Sequence, residues 1–222
     1  MADLCEVVNG RLRLNFHAGQ RAAWDSEKRF VVVLAGTQGG KTTFGPHWFY
    51  REIQRRGPGD YLIVTPTFTL LEKKALPEFL VLFSQLLGLG KYVGGSKRLF
   101  TFSEVGAVRT FGASAGSATV PTRVFFGHAG DPDSLESATA KAAWLDECGQ
   151  KKFKRSSYEA ILRRLSLAMG RILLTTTIYY MGWIKQLLYD PWLKAKKNHS
   201  DIDLISFPST ANPQFPKAEA ER

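Results

Sequence analysis

One stretch of small residues ends in groups that can handle a phosphate. Ala35, Gly36, Thr37, Gln38, Gly39, Gly40, Lys41 and Thr42 follow the apolar run "VVVL", and Thr43 follows them. The spacing is that of the phosphate-loop pattern G-x-x-x-x-G-K-[ST], with Ala35 in place of the first glycine. Glycines let the backbone curl until its N–H groups face phosphate oxygens, and a following helix adds its positive end. Lys41 is suited to the β- and γ-phosphates, and the Thr42 hydroxyl to a Mg²⁺ shell. Residues Gly36 to Thr43 are therefore expected to bind ATP with Mg²⁺.

A second chemical element lies about a hundred residues on. "KAAWLDECGQ" places Asp146 and Glu147 at the end of an apolar segment. A carboxylate there can hold Mg²⁺, and a neighbouring one can deprotonate a water for in-line attack on the γ-phosphate. Asp146 takes the metal role and Glu147 the catalytic one. A small-molecule kinase has no use for a water-activating acid beside the metal ligand, so the pair points to ATP hydrolysis.

Both elements need strands to present them. "RFVVVLAG", "YLIVTPT", "TRVFFGHAG", "AAWLDECG", "RILLTTTIYY" and "DLISFPS" are short, apolar and β-branched or aromatic, as buried strands are. Helical stretches are expected from Thr42 to about Arg56 with Pro46 in the first turn, from about Leu70 to Leu87 with a kink at Pro77, over 153–168, and over "WIKQLLYDPWLKAKK". "RLFTFSEVGAVRTFGAS" alternates and is cut by glycines, which predicts short antiparallel strands within an insertion around 91–128. The whole reads as an α/β fold with a mostly parallel central sheet flanked by helices. In such sheets ligands sit at the carboxyl ends of strands, where the glycine loop, the acidic pair and the threonine run all fall. Residues 1–208 are expected to form the ATPase domain, and the proline-interrupted 209–222 a linker or tail.

The chain has 222 residues, enough for one well-buried domain, and a net charge of +10. That excess favours an anionic partner, nucleic acid above all. Cys5 and Cys148 are far apart without metal-ligand spacing, which fits a reducing compartment. No apolar run approaches membrane-spanning length and the N-terminus lacks a signal-peptide layout, so an intracellular, non-membrane protein is expected.

Together these segments resemble the ATPase domain of the large terminase subunit of tailed bacteriophages, the DNA-packaging motor. "NFHAGQRAAWDSEKRFVVVLAGTQGGKT", "YLIVTPTFTLL", "GDPDSLESATAKAAWLDE", "GRILLTTTIYYMGW" and "FPSTANPQFP" carry the likeness. It implies a P-loop NTPase of the additional-strand catalytic-glutamate type. It assigns Gln20 to the adenine edge, and Thr176 and Thr177 to sensing the γ-phosphate and coupling hydrolysis to movement. It implies double-stranded DNA as the cargo, a portal protein and a small terminase subunit as partners, and a homo-oligomeric ring, a pentamer on the capsid. The setting would be the cytoplasm of an infected bacterial host, with transient docking on the procapsid. In the family an RNase H-like nuclease domain follows; none of that size lies within these 222 residues, so DNA cleavage is not expected of this chain.

The sequence departs from the family in three places. Ala35 replaces a glycine. Thr37 stands where many relatives carry an arginine, and Glu136 where some do, which leaves a trans-acting arginine to come from elsewhere; Arg163 and Arg164 are candidates, although a helix face in solvent is the commoner role of such a pair. The basic stretches 151–155 and 194–199 read first as solvated faces, as charge runs usually are; the overall charge keeps DNA phosphate contact open without locating it. A helicase-like translocase, a non-hydrolysing nucleotide-binding module and a P-loop kinase are the competing readings.

Overall fold

The computed structural model describes residues 4–9, 11–113, 120–130, 139–177, 180 and 182–220. In chain order the elements are β1 (Cys5–Val8), β2 (Arg11–Leu14), α1 (Ala18–Asp25), β3 (Phe30–Ala35), α2 (Lys41–Arg56), β4 (Asp60–Thr65) and a long helical run, α3 (residues 68–86). Then follow β5 (Gly90–Val93), β6 (Leu99–Phe102), α4 (Glu104–Phe111), β7 (Arg123–His128), β8 (Ala142–Asp146), α5 (Arg155–Leu165) and β9 (Arg171–Thr176). A helical run α6 (residues 182–194), β10 (Ile202–Phe207), a single 3₁₀ turn (Ser209–Ala211) and α7 (Lys217–Ala220) complete the order.

β1 and β2 form an antiparallel pair of their own. The other strands make an eight-stranded sheet in the order β10–β3–β9–β8–β4–β7–β6–β5. The first six are parallel; at one edge β6 pairs antiparallel with β7, and β5 antiparallel with β6. β9 therefore lies between β3, which leads into the glycine loop, and β8, which ends in the acidic pair. That is the additional strand the fold class requires.

Alternation along the central strands feeds two cores, one on each face of the sheet. Val31 and Val33, Tyr61 and Ile63, Ala142 and Trp144, and Leu173 pack with Phe44, Trp48, Phe49 and Ile53 of α2 and with Leu71, Ala75 and Phe79 of α3. Val32 and Leu34, Leu62 and Val64, Ala143 and Leu145, and Ile172 and Leu174 pack with Tyr158, Ile161 and Leu165 of α5 and with Trp183, Ile184 and Leu188 of α6. Burial on both faces explains why these strands read as unbroken apolar runs. Trp48 and Trp183 are packing residues; the Trp183 indole stacks on Tyr158 and donates to the Phe153 carbonyl at 3.0 Å.

Two local expectations are corrected. Residues 104–111 are helical, not a strand. The Ser103 hydroxyl accepts from the Gly106 amide at 3.1 Å as an N-cap, and a Cβ at Gly106 would stand 1.8 Å from the Leu89 carbonyl oxygen. The glycine there answers a close approach of backbone rather than a strand break. Pro46 lies inside α2, beyond the first turn, where it cannot donate to the Thr42 carbonyl. On either side of Pro77, α3 passes through π-helical turns, at Leu71–Ala75 and Val81–Leu86. No described helix is long and apolar enough to cross a membrane.

Candidate active site

The glycine loop is gripped from behind. His17 caps α1 by accepting through Nδ1 from the amides of Gly19 and Gln20, so Nε2 carries the proton and donates to the Gly39 carbonyl at 3.1 Å. Gln20 Nε2 donates to the Gly40 carbonyl at 3.0 Å. With these carbonyls drawn toward α1, the N–H groups of the same peptide planes, those of Gly40 and Lys41, point the other way, into the cavity. Gln38 and Gly40 take left-handed conformations, with φ of 61° and 81°. The substitution of Ala35 is absorbed by its neighbour. Gly36 donates to the Phe207 carbonyl at 3.0 Å, and a Cβ at Gly36 would come within 2.5 Å of the Ser209 backbone nitrogen. The close approach that demands glycine thus falls one residue later than the pattern expects.

Parity along the strands decides which acids and hydroxyls reach this loop. Asp146 follows Trp144 on the α2 face of β8, and Thr175 follows Leu173 on the same face of β9, directly opposite in register. The Thr175 hydroxyl donates to Asp146 Oδ1 at 2.7 Å and accepts from Trp144 Nε1 at 2.9 Å. The Thr42 hydroxyl, at the start of α2, lies 3.3 Å and 3.4 Å from the two Asp146 oxygens. α2 can sit this close because Gly45 has no side chain; a Cβ there would be 2.2 Å from the Trp144 ring.

Simple alternation would turn Glu147 to the opposite face. Instead its φ of 54° is left-handed, an uncommon state for a residue with a side chain, and the carboxylate swings back over the loop. Lys41 Nζ is 3.3 Å from Glu147 Oε1, and both side chains are almost wholly buried. Lys74 of α3 approaches the same oxygen at 3.4 Å from the other wall. Glu147 Oε2 is buried with no hydrogen-bond partner among the described residues, an arrangement that suits an oxygen meant for a water or a ligand.

Burial, and secondarily the Glu147 charge, push the Asp146 carboxyl up to about 6; Thr175, Lys41 and Thr42 oppose the shift without cancelling it. Relative to an ordinary value of 3.8, this costs the folded protein about 3 kcal/mol at pH 7. The group is protonated in both states well below its unfolded value of 3.8, and the cost grows as pH rises through 3.8 and levels off above about 6. Asp146→Asn keeps the shape and an acceptor for Thr175. It is expected to raise the thermal midpoint of the nucleotide-free protein at pH 7 by roughly 5–10 °C, with the gain vanishing toward pH 4. Thermal scans across that range check this; a gain independent of pH would assign the effect to packing.

Two adjoining cavities share Gly40, Thr43, Glu78 and Asn212. One, of about 570 Å³, has an apolar wall of Leu4, Val81, Leu82, Leu86 and Pro213, with Gln20 and His47. His47 is kept neutral there, its pKa lowered to about 4 by burial. The other, of about 630 Å³, contains Thr37, Lys41, Thr42, Lys73, Lys74, Glu147 and Thr177. Volumes of this size suit a nucleotide, with a base in the first and a polyphosphate in the second.

Of the residues singled out in the sequence, Gly36 to Thr43, Asp146 and Glu147 come together. Thr177 lines the polar cavity, whereas Thr176 faces the other side of the sheet, where its hydroxyl accepts from the Gly149 amide at 3.0 Å and donates to the Thr177 carbonyl. Gln20 lines the apolar cavity with one amide N–H given to Gly40 and its oxygen accepting from the His17 amide at 3.3 Å. Arg163 and Arg164 lie in the last turn of α5, with the Arg164 carbonyl accepting from Ala140 ahead of β8, at the opposite end of the sheet from the loop. Glu136 falls outside the described residues. Lys73, Lys74, Glu78, Thr175 and Asn212 carry no sequence signal for this site. Asn212 is 174 positions from Gln38, to whose carbonyl it donates at 2.7 Å.

The donor set fits a hard divalent cation. A hydroxyl and a carboxylate converge, both oxygen ligands, and among the described residues no cluster of three His, Cys, Asp or Glu competes as a metal site.

No protein-family model matches the sequence, and no curated protein is found similar to it. Solved structures do match. The large terminase ATPase domain of Thermus phage P74-26 aligns with a TM-score of 0.65 at 21% identity, over 94% of this chain and 88% of that one. The large terminase of the thermophilic bacteriophage D6E in complex with ADP aligns with a TM-score of 0.71 at 14% identity, over 93% of this chain and 49% of that one. The UvsW helicase of bacteriophage T4 aligns less well, with a TM-score of 0.50 at 18% identity. With β9 between the loop strand and the acidic strand, and the loop lysine set against the second acid, the chain has the fold of the large terminase ATPase domain.

Proposed function

We propose that this chain is an ATP-hydrolysing motor domain that drives double-stranded DNA into a viral procapsid. The observation that carries the reading is the meeting of Lys41, Thr42, Asp146 and Glu147 at one sheet edge, with a second, buried Glu147 oxygen that has no hydrogen-bond partner among the described residues. ATP would lie across the two cavities, its polyphosphate against the loop amides of Gly40 and Lys41. Thr42 and Asp146 would hold Mg²⁺, which neutralises phosphate charge when bound. Lys41 would leave Glu147 for the β- and γ-phosphates. Glu147 Oε2 would take a proton from water as its oxygen attacks the γ-phosphorus, and the bond to the β–γ bridging oxygen breaks, leaving ADP and phosphate. Thr177, on the cavity wall, would register whether the γ-phosphate is present. Thr176, hydrogen-bonded to the Gly149 amide beside the acidic pair, would pass that state to the next elements.

The net charge of +10, with exposed Lys151, Lys152 and Lys154 just beyond the acidic pair, supports a polyanion cargo. By resemblance the working form is a ring, a pentamer, on a portal protein, loaded by a small terminase subunit in the cytoplasm of an infected bacterium. ATP turnover by the purified protein, with and without intact duplex, tests the reading. Turnover is expected to rise on adding duplex, and the rise to fade steeply as salt increases. Absence of ATP hydrolysis in both conditions would overturn it. The likeness to UvsW favours a helicase-like translocase as the second reading. Strand displacement separates the two, since a packaging motor leaves the duplex intact.

A further inference from the structure

Resting on the reading above, we propose that Lys74 is a second phosphate-contacting cation supplied in cis. It would hold Glu147 when no nucleotide is bound and move to the terminal phosphate when ATP enters.

The loop from Ala35 to Thr43 contains one cation, Lys41. A triphosphate terminus carries more charge than one ammonium balances. The opposite wall of the polar cavity supplies Lys74, from the π-helical turn Leu71–Ala75 of α3. Its Nζ and that of Lys41 lie 3.4 Å and 3.3 Å from the same oxygen of Glu147. Two ammonium groups on one carboxylate oxygen, with no partner on the other among the described residues, are a poor match in charge and in hydrogen-bond count. A phosphate placed between the lysines is the stronger and better-shared anion. The Lys74 side chain is 49% exposed, against 7% for Lys41, so it can swing across the cavity at little cost. Its transfer would free Glu147 to take the proton from water at the moment the γ-phosphate arrives. ADP lacks that phosphate and leaves the Lys74–Glu147 pair in place. Lys91, exposed on the edge strand β5 and outside both cavities, serves as the control.

The test compares the wild-type chain with Lys74→Ala, Lys74→Arg and Lys91→Ala. Each is titrated with ADP and with a non-hydrolysable ATP analogue, and assayed for kcat and KM. Lys74→Ala is expected to weaken binding of the analogue roughly tenfold and that of ADP less than about twofold. Its kcat is expected to fall by about 10- to 100-fold. Lys74→Arg should recover most of both, and Lys91→Ala should stay within about threefold of wild type. Equal loss for ADP and analogue, or unchanged turnover in Lys74→Ala, would overturn the inference while leaving the ATPase reading intact. A wild-type chain that neither binds nor hydrolyses ATP would overturn both. Circular dichroism of each variant separates misfolding from loss of a contact.

Discussion

Glu147→Gln is expected to lower ATP turnover by about 10²- to 10⁴-fold while leaving ATP bound. The amide keeps the size and the left-handed turn at φ 54°, but it cannot take a proton from water. Two secondary effects follow from the geometry. Lys41 and Lys74 lose the carboxylate they share and become available to phosphate, so ATP affinity should hold or rise. The Asp146 carboxyl loses one of the two causes of its raised pKa and should titrate lower. Single-turnover hydrolysis with pre-bound ATP isolates the chemical step. Turnover within about threefold of wild type would remove Glu147 from the role of base.

Lys41→Ala should abolish nucleotide binding at concentrations that saturate wild type, with an affinity loss of about 10²- to 10³-fold. Lys41 is buried at the first position of α2, so no water-exposed side chain can take its place from the same position. Removing it also leaves buried Glu147 with only the half-exposed Lys74 as a cationic partner. Breaking a buried pair from one side costs about 3–5 kcal/mol when no other partner remains; with Lys74 in place, a smaller fall in thermal stability is expected. Isothermal titration with ADP and thermal scans in parallel report the two effects. Retained ADP affinity would place the phosphates elsewhere than on this loop.

Much of this architecture was legible before any coordinates. "RFVVVLAG", "YLIVTPT" and "AAWLDECG" are unbroken apolar runs because their alternate residues enter two different cores, one of the conditions that makes a parallel sheet readable. Short-range chemistry was legible too. The glycine loop and the acidic pair depend on neighbours in the chain, and each follows its own strand. Where the reading went astray, at 104–111, a serine N-cap and a close backbone approach produced glycine spacing that imitates a broken strand.

Placement across the sheet was a different matter. That β9 lies between β3 and β8 was implied by resemblance, not by any local pattern, since strand order depends on how crossovers return. Register then chose Thr175, rather than its neighbour, to hold Asp146, and a left-handed residue brought Glu147 to the face that alternation denies it. Lys74 and Asn212 reach the site from α3 and from beyond β10, through contacts spanning 73 and 174 positions. Sequence alone settled which strands exist and which residues could handle a phosphate, because those depend on periodicity and short spacing. Only the tertiary structure decided which of those residues share a face, and which distant cations join them, because contacts between remote segments leave no period in the chain.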